Sequence, residues 1–500
     1  MKQKLINSIL SQTLFLITNG VLAIILVPIL INMLGKINFG AFELIMSLVI
    51  VNFLLEFGLG STLIKYIPEY KEDETDLKKF IWSYFYFKMF ITVIGALIIS
   101  IIGYYFNTIF NVSMIENIDT LKASVYIFAF GILLNSVATF LQNILNGFVY
   151  FAQVNASKTI SVILFFIVAY AYYKFSSEYQ IVEIAIIWFI IRPMIFILTV
   201  LFIYRKLNLM YLLVPQKFEY NFIRQTLKYL LGMSYITIIA QLYNRLPKII
   251  FGIFLTPVYV GYWGIIERLK NPILSMQSAA LRPLIPILSD KKHSSLSIEK
   301  ILQASRLSYL LIVGLTLLVI MNVELIILNW LGNDFMKVVE LSKVLFLPSL
   351  FPAAGVLLMM YYAEGKTKIN QLFITLNTSV GIMLSTILLI LFEDIMFFTY
   401  AYIGVLITLN IVFLLKYLNY FKINVFLYFK KVVFPIGNII LFVIVIGYFV
   451  NIYIPITLFG LFLGFMSTSF TSIIGSIIFL PKEDTELILK SKILTKLLAK

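Results

Sequence analysis

The chain has 500 residues, of which 61% are hydrophobic and only 13% charged, with a mean hydropathy of +0.99; soluble domains sit near 45–50% apolar and about 25% charged. This balance excludes a soluble globular protein and describes an integral membrane protein. The net charge of +15 has no solvated basic domain to carry it, which excludes a nucleic-acid partner. Cysteine is absent and the lone His293 lies in a polar KKHSS loop. That leaves no thiol chemistry, no histidine-based metal or acid–base site, and no implied cofactor.

Apolar runs of about 20 residues bounded by charged loops predict spanning α-helices rather than barrel strands. In chain order the helices are expected at 9–31, 39–63, 80–105, 121–147, 154–173, 181–204, 227–255, 258–289, 305–331, 341–363, 369–392, 396–418, 430–452 and 454–480, fourteen in all. The first run follows Met1-Lys2-Gln3-Lys4 and continues to Ile31 without a small-residue cleavage site, so it reads as a retained helix and not a signal peptide. Pro28, Pro193, Pro257, Pro283, Pro286, Pro348 and Pro352 interrupt the runs and predict kinks. Alternate loops collect 27 Lys and Arg residues against 4 on the opposite side. By the positive-inside rule both termini are expected in the cytoplasm.

The longest connection, Arg205 to Lys228, contains Pro215 and separates the first six helices from the last eight. It predicts an N-terminal lobe at 1–215, a second lobe at 216–420, and two further helices with a tail at 421–500. Two echoes support a repeat. Leu34-Gly35 with Gly40 recurs as Leu255-Thr256 with Gly261, 221 residues on, and Asn146-Gly147 recurs as Glu364-Gly365, 218 residues on. Both keep the same topological place, as expected for a parallel repeat about the membrane normal with a pathway at the lobe interface.

Seven of the 39 basic residues are arginine, and Arg192, Arg245, Arg268 and Arg282 fall within expected spans. Each such charge costs roughly 2.5–3.5 kcal/mol at a helix centre. The planar donor fork of arginine matches phosphate and carboxylate, so the pattern points to an anionic, phosphate-bearing substrate. At about 1.5 Å of rise per residue, Arg192 and Arg268 should lie near the midplane. Arg245 and Lys248 share a face with Gln241 in the outer half of their helix. Arg282 lies near the cytoplasmic end, where snorkelling also accounts for it. Lys88 is a further candidate, with Glu43 and Glu56 as expected partners, and Glu56 alternatively as a coupling-cation ligand. Internal ion pairs of Glu267 with Arg268 and of Glu324 with Arg245 are the competing structural explanation. Gly365-Lys366-Thr367 ends like a P-loop, but Met360 stands where the pattern needs glycine.

The stretch LGKINFGAFELIMSLVIVNFLLEFGLGSTLIKYIPEY (Leu34 to Tyr70) resembles the opening of the polysaccharide-transporter branch of the multidrug/oligosaccharidyl-lipid/polysaccharide exporter superfamily. YNRLPKIIFGIFLTPVYVGYWGIIERLKNPILSMQSAALRPLIPILSD resembles the start of the second lobe in that family, followed by ASRLSYLLIVG and NWLGNDF. The resemblance implies an all-α polytopic protein with two six-helix lobes related by a pseudo-two-fold and two extra C-terminal helices. It implies alternating access that moves an undecaprenyl-diphosphate-linked oligosaccharide from the inner to the outer leaflet of a bacterial plasma membrane. Arg192, Arg245, Arg268 and Lys248 would then contact the diphosphate or acidic sugars, with a polysaccharide polymerase and chain-length machinery as possible partners. The lipid II flippases of the family place arginines in the first helix, whereas residues 9–31 contain none; this favours an O-antigen, capsule or teichuronic-type unit. Among the rivals, a drug or cation exporter should show an acidic cavity. A membrane-embedded polymerase or glycosyltransferase should carry a large outer loop or paired loop acids, and neither is present.

Overall fold

Helices build the whole of the computed structural model, which describes residues 2–51, 58–281, 297–364 and 366–489. No strand occurs among the described residues. The chain packs as two units, Met1–Arg268 and Leu269–Lys500.

In the first unit, α1 (Lys2–Ser47) bends at Gly35, whose φ of 71° and ψ of 171° interrupt the helix in a region open to glycine. The expected run 39–63 is not one helix: α1 stops at Ser47, and α2 (Leu59–Tyr70) starts after Gly58 at φ 69°. The glycine-rich FGLG segment supplies that left-handed residue. α3 (Glu74–Tyr104) is capped by Asp73, whose carboxylate accepts from the Thr75 and Asp76 amides, and α4 (Ile118–Gly147) by Asn117. α5 (Phe151–Phe175) and α6 (Ile181–Lys206) follow. α7 (Tyr220–Phe254) and α8 (Pro257–Leu281) come next, and α8 runs across the boundary between the units. An aromatic cluster of Tyr70, Phe80, Tyr84 and Phe222 ties α2, α3 and α7 together. Ser83 Oγ accepts the Glu219 amide at 2.9 Å, fixing the start of α7.

The second unit opens with α9 (Ile298–Leu331), α10 (Met336–Leu345) and α11 (Gly355–Ala363). The expected span 341–363 is broken here, with a 56° bend between Asn333–Leu350 and Gly355–Ala363. Pro348 and Pro352 withhold the amides that a continuous helix would need. α12 (Lys368–Phe392), α13 (Ile395–Tyr420), α14 (Val425–Val450), α15 (Leu458–Phe479) and the short α16 (Lys482–Leu489) complete it. Asn322 of α9 donates to Thr468 Oγ1 of α15 at 3.1 Å. At the other end of α9, Arg306 pairs with the fully buried Asp484 of α16 and donates to the Lys431 carbonyl of α14 at 2.9 Å.

Ten helices among the described residues are long and apolar enough to cross a membrane, and the bent pair makes an eleventh. α1 counts once although it holds the first expected run and the start of the second. α7 and α8, at 35 and 25 residues, are long enough to cross but too polar to be counted. The kinks expected at Pro283 and Pro286 lie outside the described residues.

Candidate functional site

The charges inside the first unit divide into two groups. The first is an ion-pair cluster joining α1, α7 and α8. Lys248, only 3% exposed, bridges Glu43 at 2.9 Å and Glu267 at 2.7 Å. Arg268 pairs with the other oxygen of Glu43 and lies over the Phe39 ring at 5.8 Å. Two cations face two carboxylates, so the cluster is neutral. Its geometry depends on Gly264, where a Cβ would stand 2.8 Å from the Glu43 carboxyl.

The second group lines a cavity of about 400 Å³ formed by α1, α4, α5, α6 and α7. Lys158, Arg192 and Arg245 reach it, with Asn135, Thr139, Gln142 and Ser161 as neutral polar neighbours and, among the described residues, no carboxylate on its wall. Arg245 Nε is buried with no hydrogen-bond partner. Among the described residues no ion pair engages Arg192 or Arg245; Arg192 instead lies over the Phe165 ring at 5.0 Å. Lys158 lies 5.6 Å from the Phe15 ring centroid. Cation–π contacts recover only about 0.5–2 kcal/mol each.

Local sequence aims Arg192. Pro193 has no amide proton and its ring crowds the carbonyl four residues back, which disfavours a regular turn. The helix responds with a π-helical turn at Ile187–Ile191, in which the Arg192 amide donates to the Ile187 carbonyl. The turn is wedged between aromatic rings: Phe189 stacks on Phe42 at 5.5 Å, and Trp188 meets Phe165 edge-on at 4.6 Å. Gly131 of α4 accommodates it, since a Cβ there would collide with the Phe189 carbonyl. Such π turns are frequent at functional sites.

The structure therefore separates the residues singled out in the sequence. Arg192 and Arg245 share the cavity, whereas Arg268 and Lys248 belong to the neutral cluster. Lys88 is 2% exposed and donates to Thr139 Oγ1 at 2.9 Å, behind the cavity wall. Arg282 and Glu56 lie outside the described residues. The expected pairings are corrected: both oxygens of Glu43 go to Lys248 and Arg268, not to Lys88, and Glu267 holds Lys248, not Arg268. Glu324 pairs with Lys343 at 3.2 Å. Lys158 was counted in the sequence only as a cytoplasmic positive charge; its place seven residues into α5, one turn before Ser161 and Val162, was the available signal.

These features define a polytopic helical membrane protein. It is similar in fold to a structure of the lipid II flippase MurJ in an inward closed conformation, with a TM-score of 0.65 at 15% identity, covering 96% of this chain and 99% of that one. It is also similar to an inward-facing multidrug resistance MATE family transporter (TM-score 0.58, 14% identity, 81% and 93% covered). A third is a point mutant of the Vibrio cholerae MATE transporter VcmN (TM-score 0.53, 14% identity, 85% and 98% covered). No curated protein sequence matches the chain. Residues 5–292 match the polysaccharide biosynthesis protein family, and the chain belongs to that family.

Proposed function

We propose that the protein is a flippase that carries a polyprenyl-diphosphate-linked oligosaccharide from the inner to the outer leaflet for surface polysaccharide synthesis. The observation that carries this reading is the charge of the cavity: three cations and, among the described residues, no carboxylate on its wall. Three such charges would cost roughly 8–10 kcal/mol on insertion scales, and an anionic ligand is what offsets them. A diphosphate offers several acceptor oxygens to the two guanidinium forks. An inside-negative potential favours outward movement of the anionic head by about 2.3 kcal/mol per charge per 100 mV.

The family assignment supports a role in polysaccharide synthesis, and the MurJ fold fits a lipid-linked substrate. The MATE fold fits the rival reading of a cation or drug exporter equally well. Cavity polarity favours the flippase, because a cationic drug would meet three positive charges and, among the described residues, no carboxylate on the wall. Arg268 and Lys248 remain in the reading as cluster residues that change partners when the helices move. Fourteen crossings, two six-helix lobes, alternating access and cytoplasmic termini belong to the same proposal. The expected run 39–63 as a span of its own, α7, α8 and the bent pair would bring the ten apolar helices to that number.

The test is genetic. Deletion should accumulate lipid-linked repeat units on the cytoplasmic face, and the wild-type chain should clear them. Arg192→Ala and Arg245→Ala should not. Normal surface glycan in the deletion strain would sink the assignment.

A further inference from the structure

The outer faces of α5 and α6 form a second concavity, separate from the cationic cavity. It has a volume of about 610 Å³ and is lined by Gln153, Ser157 and Ile160 of α5 and by Leu198, Phe202 and Lys206 of α6, among others, a size within the usual range of ligand sites. α5 begins at Phe151 and α6 ends at Lys206, so Gln153 and Lys206 stand together at one mouth. Ile160 and Leu198 lie deeper. Leu198 to Lys206 covers about 12 Å of helix, close to the depth of one leaflet's hydrocarbon.

The body of this groove is wholly apolar despite containing Ser157 and Thr199. Ser157 Oγ donates to the Val154 carbonyl at 2.9 Å and Thr199 Oγ1 to the Phe196 carbonyl at 2.9 Å. Their hydroxyls are spent within their own helices, leaving no free donor for a sugar or peptide. At the mouth the chemistry changes: Lys206 is exposed, Arg205 adjoins it in the last turn, and no ion pair holds Lys206 among the described residues. A greasy channel one leaflet deep with a free cation at its mouth is complementary to an amphiphile with an anionic head.

We propose that this groove binds an anionic phospholipid of the inner leaflet, with an acyl chain between α5 and α6 and its phosphate at Lys206. Basic pockets between spanning helices on the cytoplasmic side are suited to such headgroups. Because α5 and α6 also carry Lys158 and Arg192, the bound lipid braces the helices that aim the cavity cations. The site stands independently of what the cavity transports.

The test uses the full chain purified in detergent, with phosphatidylglycerol, phosphatidylcholine of the same acyl chains, and a polyprenyl phosphate as probes, read by thermal shift and by native mass spectrometry. Phosphatidylglycerol should raise Tm by at least about 2 °C over phosphatidylcholine and remain bound as one adduct. Lys206→Gln, at an exposed position, should keep the basal Tm and lose that increment. Ala156→Leu, which narrows the groove, should lose both the increment and the adduct. Equal shifts from the two phospholipids would overturn the proposal, as would a full increment in Lys206→Gln. Protection by the polyprenyl phosphate alone would reassign the groove to the substrate's lipid, and a lipid-independent dimer through this face would reassign it to a second copy of the chain.

Discussion

Gly40 of α1 and Gly261 of α8 meet backbone to backbone: a Cβ on Gly261 would stand 3.2 Å from the Gly40 Cα, and one on Gly40 would collide with the Pro257 carbonyl. These two glycines occupy matching places in the two sequence hairpins, 221 residues apart. Glu43 and Gly264 have the same offset and also touch, the carboxylate filling the space that the missing side chain leaves. Residues at matching places of the two sequence hairpins thus touch, a contact that the proposed repeat requires near its axis. Gly40→Ala should destabilise the purified protein by about 1–3 kcal/mol or more through overpacking against rigid backbone. Gly261→Ala should cost less, because one of its two neighbours is the movable Phe39 ring. A thermal-denaturation series in detergent orders the two.

The ion-pair cluster makes a prediction about sign. Lys248→Met leaves Glu43 and Glu267 without their shared cation, and removing one partner of a buried pair typically costs about 3–5 kcal/mol. Adding Glu267→Gln to that variant removes the excess carboxylate and leaves Glu43 paired with Arg268, and should restore a large part of the loss. A double variant no more stable than Lys248→Met would show that the cluster does not act as a unit.

Gly131→Ala probes the aim of Arg192 without touching any charge. The new methyl would push on the Phe189 carbonyl and displace the π turn. We expect a loss of flipping of at least about tenfold, equivalent to about 1.4 kcal/mol, with the protein still folded by circular dichroism. Wild-type activity in a folded Gly131→Ala protein would mean that the turn does not position the guanidinium.

A separate prediction concerns the end of the second unit. Asp484 is fully buried and receives both Arg306 and, at 2.8 Å, Gln303. Asp484→Asn leaves one acceptor where Gln303 and Arg306 use two and strands the Arg306 charge, lowering Tm, whereas Asp484→Asn with Arg306→Gln should recover part of it. Protease sensitivity at the α15–α16 junction would report the release of α16.

Much of the fold was legible in the sequence because lipid permits few solutions: a run of about 20 apolar residues has to be a helix. The breaks were legible where glycine or proline forces them, as at Gly35 and at Pro348 and Pro352. The break after Ser47 was hidden, since the run through Leu48 to Phe57 stays mostly apolar. The site was legible only as a set of cations at membrane depth. Which of them are neutralised depends on helices far apart in sequence, so neither the capture of Lys248 and Arg268 by Glu43 nor the place of Arg192 and Arg245 on the cavity wall could be read from spacing. Lys158 escaped notice because a lysine two turns inside a helix end looks like a loop charge.

The central claim is that the three cations lining the cavity receive a diphosphate head. It is tested most directly in proteoliposomes containing the purified protein and a fluorescent polyprenyl-diphosphate oligosaccharide, with leaflet exchange followed by quenching from outside. The wild-type protein should accelerate exchange; Arg192→Ala and Arg245→Ala should each lose roughly 10–100-fold, the value of one or two charged hydrogen bonds. Full exchange by the double variant, or exchange of a cationic dye but not of the diphosphate lipid by the wild-type protein, would contradict it.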